Sequence, residues 1–427
     1  MEVEVISKEI VKPSSPTPHH LRHYQLSFLD QLAPAVYNPL VLFYSFNKDS
    51  NPTITEISNH LKTSLSNVLT LFYPLAGRVR DNLFVDCSDD GIPYFETRVK
   101  SRLTDVITNP VPGEINKFLP FQPDEVAEFG LGVQLNIFQC GGIGIGVCIS
   151  HKLGDAFSFF MFIKTWSAIA HGDQPDYIVR PEFVSATLFP PKDTTGFDSR
   201  MGITKKNIVS KRFVFDASAI ETLRAKYEEK LGCRASRVEA LSTFIWTRFV
   251  DSNKDEPGPK LYNMLHSVNL RPRFEPPLPE NSFGNIFRIA VTAPTYLSSG
   301  EECYGLAREV REEIRKIDKE YVKKLQQYGD EHLDFMKKGG EKFMRDELMT
   351  FSFTSLCRFP VYEADFGWGK PMWVGSPALT FKNLVVFMDT KIGDGIEAYI
   401  SLKEEHMAKL EGDQEFLTFV SPPLLLG

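Results

Sequence analysis

The feature that most constrains this chain lies near its middle. From about residue 180 to 210, RPEFVSATLFPPKDTTGFDSRMGITKKN, the regular spacing of apolar residues lapses into Pro, Thr, Asp and Lys. Such a stretch connects structured units and does not build one. Short strand-like and helix-like runs flank it on both sides, and 427 residues are more than one core usually holds. The expected organisation is an N-terminal unit over residues 1–185, a crossover over 186–210 and a C-terminal unit over 211–427.

In the first unit, EVEVISKEIVKP alternates with the period of a strand, and NPLVLFYSF reads as a buried strand. Ile54, Ile57, Leu61, Leu65, Val68, Leu69 and Phe72 recur at helical spacing, and Pro74 and Gly77 should end that helix. NLFVDCSDDGIPYFETRV predicts two strands around Asp90-Gly91, and GVQLNIFQCGGIGIGVCISH a hairpin turning at Gly141-Gly142. In the second unit, IVSKRFVFD opens as a strand. Ser236-x-x-Glu239 is a capping-box pattern before a helical face. GEECYGLAREVREEIRKIDKEYVKKL predicts one long amphipathic helix, and LVVFMDTKIGDGIEAYISL a hairpin around Asp394-Gly395. Both units mix strands and helices without the strict rhythm of a doubly wound sheet. The fold class is α/β with two domains of similar size.

The chemistry concentrates at CISHKLGDAFSFF, residues 148 to 160. Ile143, Ile145, Val147 and Ile149 share one strand face, with Gly144 and Gly146 on the other. Glycines inside a strand mark close approach of another backbone or a ligand. His151 ends the strand, and Gly154 supplies the φ freedom of a sharp turn. Asp155 starts a helix whose Phe157, Phe160, Met161 and Ile163 face a core. On residues alone, the favoured readings are plainer: a hydrogen-bonded buried histidine at His151 and an N-cap at Asp155.

Several functions are disfavoured. The formal net charge of −7 argues against nucleic acid or an anionic membrane as the main partner. The six cysteines (Cys87, Cys140, Cys148, Cys233, Cys303, Cys357) form no CxxC pair, so no zinc site or other metal site is expected. No GxSxG elbow suggests a serine triad. The N-terminal MEVEVISKEIVKP lacks the apolar centre of a signal peptide, and no run of about 18 apolar residues suggests a membrane span. A cytoplasmic protein with free thiols is expected.

HKLGD resembles the HxxxD motif of the plant BAHD acyltransferases, and DFGWGK at 365 to 370 resembles their second signature. DFG also occurs in protein kinases, but no GxGxxG, VAIK or HRD element accompanies it. YPLAGR, VDCSDDGIPY, VNLRPR and FGN carry the likeness through the rest of the chain. SPTP, SKRFVFD and VNLRPRFEPPLP bring it close to the vinorine synthase-like group of alkaloid acetyltransferases.

The resemblance implies two chloramphenicol-acetyltransferase-like domains with mixed sheets, joined by a long crossover loop, with an active-site channel between them. It implies a CoA-dependent O-acyltransferase that uses acetyl-CoA as cosubstrate, without a permanently bound cofactor. The acceptor would be the hydroxyl of a bulky plant alkaloid or terpenoid. A hydroxycinnamoyl or malonyl donor is the nearest alternative, and a catalytically silent binding relative a further one. In this picture His151 is the general base, with no acyl-enzyme. Gly154, Asp155 and Arg271 support its turn. Thr354 and Asn285 are possible oxyanion or channel donors, and Leu356 stands where the family carries Trp. Asp365, Gly367, Trp368 and Gly369 form a structural motif. The helix start at Ser236, with Arg234 and Arg237, is a candidate site for the CoA phosphates. A two-domain channel can work as a monomer.

Overall fold

The apolar segments that read as strands collect into two large mixed sheets in the computed structural model. It describes the chain except residues 47–51, 124, 126–127, 200–206, 255–260, 297–302, 330–332, 335–336, 338–347, 380 and 423–427, together with the side chains of Leu231, Cys303 and Leu306. The part of the crossover at 200–206 and the Cys303 thiol therefore lie outside the described residues.

The first sheet runs Val3–Val11, Ile92–Val99, Leu131–Phe138, Ile143–Ser150, Tyr37–Tyr44 and Trp373–Gly375. One neighbouring pair, Ile92–Val99 with Leu131–Phe138, is parallel; the other pairs are antiparallel. Helices Ile54–Leu71 and Ala156–His171 cover one face, packing with Leu40, Leu42, Ile145, Val147 and Ile149. Phe118, Phe138 and Trp373 help cover the other. Burial on both faces is why Ile143–Ser150 is buried at every position. A Cβ on Gly146 would collide with the Phe118 carbonyl oxygen, so the approach its glycine permits is that of backbone.

The second sheet runs Phe287–Val291, Leu261–Asn269, Met349–Ser355, Leu384–Asp389, Ile396–Lys403 and Ile208–Phe215, and the short strand Thr295–Tyr296 also pairs with Leu261–Asn269. Its central strands are parallel and its outer pairs antiparallel. Helices Ala217–Leu231, Arg237–Ser252 and Glu404–Gly412 bury Phe215, Phe244, Ile245, Phe351, Phe387 and Leu410 on one face. Val386, Met388 and Tyr399 emerge on the opposite face and join the core of the first half.

Two local expectations change. Phe84–Asp86 and Ile92–Val99 are both strands but not partners. Phe84–Asp86 pairs instead with His23–Gln25 and Arg78–Arg80 in a three-stranded sheet. The expected long helix is two helices, Cys303–Lys316 and Lys319–Gln327. Asp318 adopts extended backbone and caps the second by accepting from Tyr321 N–H, so it breaks the run. The hairpins turning at Gly141 and between Asp389 and Ile396 form as read.

Candidate active site

His151 lies where the two halves meet. Its N–H donates to the Val36 carbonyl at 2.9 Å in the first half. Its ring stacks on Phe287 of the second half, with centroids 5.8 Å apart. Its Nδ1 is 3.0 Å from Asn285 Oδ1.

Hydrogen bonding assigns the tautomer. The Asn285 Nδ2 group donates to Asp30 Oδ1 and to the His151 carbonyl, both at 2.8 Å. A flipped amide would set its oxygen against two acceptors, so Oδ1 faces the ring and accepts. Nδ1 therefore carries the hydrogen, and Nε2 keeps its lone pair. Burial pushes the imidazole pKa below its usual value, against the opposing pull of Asp155 and Asn285. A neutral, oriented imidazole with an unprotonated Nε2 is equipped to take a proton near neutral pH.

Asp30 anchors Asn285 and was missed in the sequence. It is fully buried and accepts from the Ser27 N–H at 2.9 Å, the Ser27 hydroxyl at 2.6 Å and the Asn285 N–H at 2.8 Å. Burial raises its pKa while these bonds pull it down. Ser27 and Asp30 form the capping box of helix Phe28–Leu32, and the Ser27-x-x-Asp30 spacing was the available signal.

Asp155 does cap helix Ala156–His171, accepting from Ser158 N–H at 2.9 Å. Arg271 clamps both carboxylate oxygens at 2.8 and 3.1 Å, and Ile286 N–H adds a bond at 3.0 Å. Arg271 is 2% exposed, and its guanidinium also donates to the Ser282 carbonyl. Asp155 thus ties the turn to the second half.

Gly154 requires a correction. It does not adopt positive φ. A Cβ there would lie 2.8 Å from Ser158 Cβ, so the position needs glycine for room rather than for backbone freedom. Asn285 requires another. Both of its amide hydrogens are committed, leaving none for an oxyanion, and its contact with the site is through His151 Nδ1.

Thr354 Oγ1 is 3.1 Å from Ser267 Oγ. Ser267 stands opposite Ile289, two residues along its strand from Phe287. The Thr354 hydroxyl therefore shares the sheet face whose Phe287 ring covers His151. Leu356 is partly buried against the first core.

The remaining candidates sit apart from this cluster. Asp365 Oδ1 accepts from Gly367 and Gly369 N–H, each at 2.9 Å, and both glycines have φ near +101°. His60 Nε2 is 2.9 Å from the Phe366 carbonyl, and Trp368 stands edge-on to Tyr44. At the other proposed site, the Ser236 hydroxyl accepts from Glu239 N–H at 3.2 Å while Glu239 returns a bond to Ser236 N–H at 2.7 Å. Arg234 pairs with Glu221 and Glu228, and Arg237 with Asp389. The charges at that helix start are matched by the chain's own carboxylates.

The sequence matches the family described as Transferase family across residues 1–417. It is 39% identical to stemmadenine O-acetyltransferase of Catharanthus roseus, over 96% of this chain and 97% of that protein. It is 38% identical to a limonoid 21-O-acetyltransferase of Melia azedarach, over 99% of both. The crystal structure of vinorine synthase superposes with a TM-score of 0.85 at 35% identity, covering 98% of this chain and 99% of that one. With this fold and these motifs, the chain belongs to the Transferase family, the BAHD acyltransferases.

Proposed function

We propose that this acyltransferase moves an acetyl group from acetyl-CoA to the hydroxyl of a bulky alkaloid or terpenoid, with His151 as general base. The observation that carries the reading is the fixed tautomer: Asn285 holds the hydrogen on Nδ1, which leaves Nε2 free to accept. As the alcohol oxygen attacks the thioester carbon, Nε2 takes the hydroxyl proton. The tetrahedral oxyanion then collapses, the C–S bond breaks and the imidazolium returns the proton to the CoA thiolate. The products are an ester and free CoA, and no acyl-enzyme forms. The Asn285 oxygen and the Asp30 carboxylate behind it favour the transient positive charge on the ring. Asp155, Gly154 and Arg271 shape the turn and move no proton.

Thr354 is our candidate oxyanion donor, on the strength of its place on the Phe287 face. Two relatives named for acetyl transfer, one to stemmadenine and one to a limonoid, support the donor and the acceptor class. Both sides of the His151 cluster come from one chain, which supports a monomer.

The test is thioester consumption, with mass analysis of products, against a panel of alcohols and competing acetyl-, malonyl- and coumaroyl-CoA. His151→Ala should lower kcat by at least the ~10²–10⁴-fold that general-base help supplies. In the unaltered protein kcat/KM should fall as pH drops through the His151 pKa, below the ordinary imidazole value of about 6.5. Undiminished ester formation by the alanine variant would overturn the reading.

A further inference from the structure

Lys152 follows His151 directly, and its side chain is buried, 6% exposed. Lysine is rarely buried so completely without an ionic partner. Here Nζ donates to the Gln31 carbonyl at 2.8 Å, and among the described residues no carboxylate forms an ion pair with it. Gln31 follows Asp30 in helix Phe28–Leu32. Asp30 is equally starved of a cation: its bonds come from the neutral groups of Ser27, Asn285 and Ser185. A lysine and an aspartate are thus buried in one hydrogen-bonded cluster, at neighbouring residues of helix Phe28–Leu32, with no ion pair between them. One is the sequence neighbour of His151, and the other is joined to its ring through Asn285.

Leaving either charge uncompensated in a poorly solvated interior is costly. Of the other charges packed around the turn, Asp155 and Arg271 clamp each other, and Asp155 still pulls the His151 pKa upward. Lys192, from the crossover, reaches the same helix twice: its backbone N–H donates to Gln31 Oε1, and its ammonium lies over the Phe28 ring, 5.9 Å from the centroid. Tyr24 lies beside Asp30, and burial pushes its phenol well above the usual range, so it stays neutral.

Resting on His151 as the base, we propose that Lys152 is a positioning residue that acts by charge: its ammonium balances the Asp30 carboxylate and opposes protonation of the His151 ring. A carboxylate joined to the ring through Asn285 favours a second proton on the imidazole, which would spoil the base. Lys152 offsets that pull while leaving the Asn285 hydrogen bond intact. In agreement, burial lowers the Lys152 pKa to about 8 against the attraction of Asp30, and the Lys152 charge lowers that of His151.

The experiment is a side-chain-labelled histidine NMR titration of His151, assigned with His151→Gln, run beside pH–rate profiles for Lys152→Met and Lys152→Arg. Lys152→Met should raise the His151 titration midpoint, and the acid limb of kcat/KM with it, by about 0.5–1 pH unit. Lys152→Arg keeps the charge and should restore both. An unmoved midpoint in folded Lys152→Met overturns the proposal. A moved midpoint with an unmoved acid limb leaves the charge balance standing and defeats His151 as the base. If Lys152→Met does not fold, Lys152→Gln, which can still donate to the Gln31 carbonyl, carries the same expectation. If neither folds, adding Asp30→Asn decides: recovered folding supports the charge couple, and continued failure overturns it.

Discussion

At the scale of single residues, one amide decides whether His151 can act as a base. Asn285 has two hydrogens and one oxygen to place, and the surroundings permit one placement. The sequence could mark His151 as unusual because turn, glycine and cap lie within a few residues of it. Asn285 carries no such local signal, since its partner is 134 residues away. Its reading as an oxyanion or channel donor rested on the FGN resemblance and its amide, neither of which shows where the amide points. Replacing Asn285 with Leu keeps much of the volume but frees Nδ1 and removes a donor from Asp30. We expect kcat to fall on the order of 10-fold to 10²-fold, part of what general-base catalysis supplies. The KM for acetyl-CoA should stay within about threefold, because the lost bonds orient the ring in the transition state. Steady-state kinetics with a melting curve check this; an unchanged kcat in a folded variant would remove Asn285 from the mechanism.

At the scale of elements, the site is a strand-to-helix turn held from outside. Ile143–Ser150 delivers His151, and the Asp155-capped helix Ala156–His171 carries the chain away. The cap was legible because Asp before an apolar helical run is a local signal. Helix breaking at Asp318 is the same effect inside a run whose periodicity hid it. The loop at Asp365 is an element of a different kind. Asp365 gathers the N–H groups of two glycines in left-handed backbone, and His60 meets the Phe366 carbonyl. It shares no hydrogen bond with the His151 cluster. Asp365→Ala should therefore lower stability by about 1–3 kcal/mol, as two N–H groups lose a charged acceptor. The kcat per folded molecule should stay within about threefold. Chemical denaturation paired with active-site-normalised rates tests it, and a large loss of kcat at unchanged stability would place this loop in the chemistry.

At the scale of the molecule, the two halves are fastened at several points besides Asp155 and Arg271. Trp373–Gly375, far along the chain, adds an edge strand to the first sheet. The Tyr44 hydroxyl donates to the Ala364 carbonyl at 2.8 Å. Arg212 makes two 2.7 Å bonds to the buried Glu397, while its guanidinium lies over the Trp373 ring. Stability should also carry an acid signature. His266 is buried between Ser242 and Phe353, and burial pushes its pKa down to about 4. The unfolded ring takes a proton below about 6.5, whereas the folded ring resists until about 4. Stability is therefore lost as pH falls through that window, by about 3 kcal/mol from this ring. Carboxylates add to the fall at its lower end, so the comparison is with His266→Phe. Its unfolding free energy should decline less between pH 6.5 and 4.5, and parallel declines would contradict the assignment.

The sequence by itself determined the local grammar of this protein: strand and helix periods, the caps at Asp155 and Ser236, the hairpin turns, and a histidine at a strand end followed by glycine and aspartate. Those features depend on side chains within a few residues of one another, so the order of residues suffices to express them. Tertiary structure decided which strands pair, that Gly154 serves space and not φ, that Asp30 and Asn285 set the ring, and that Lys152 is buried beside them. The setting of the ring and the burial of Lys152 depend on groups brought together from more than a hundred residues apart. Even the nearer pairings and the Gly154–Ser158 crowding are chosen by the summed burial and hydrogen bonding of the whole fold.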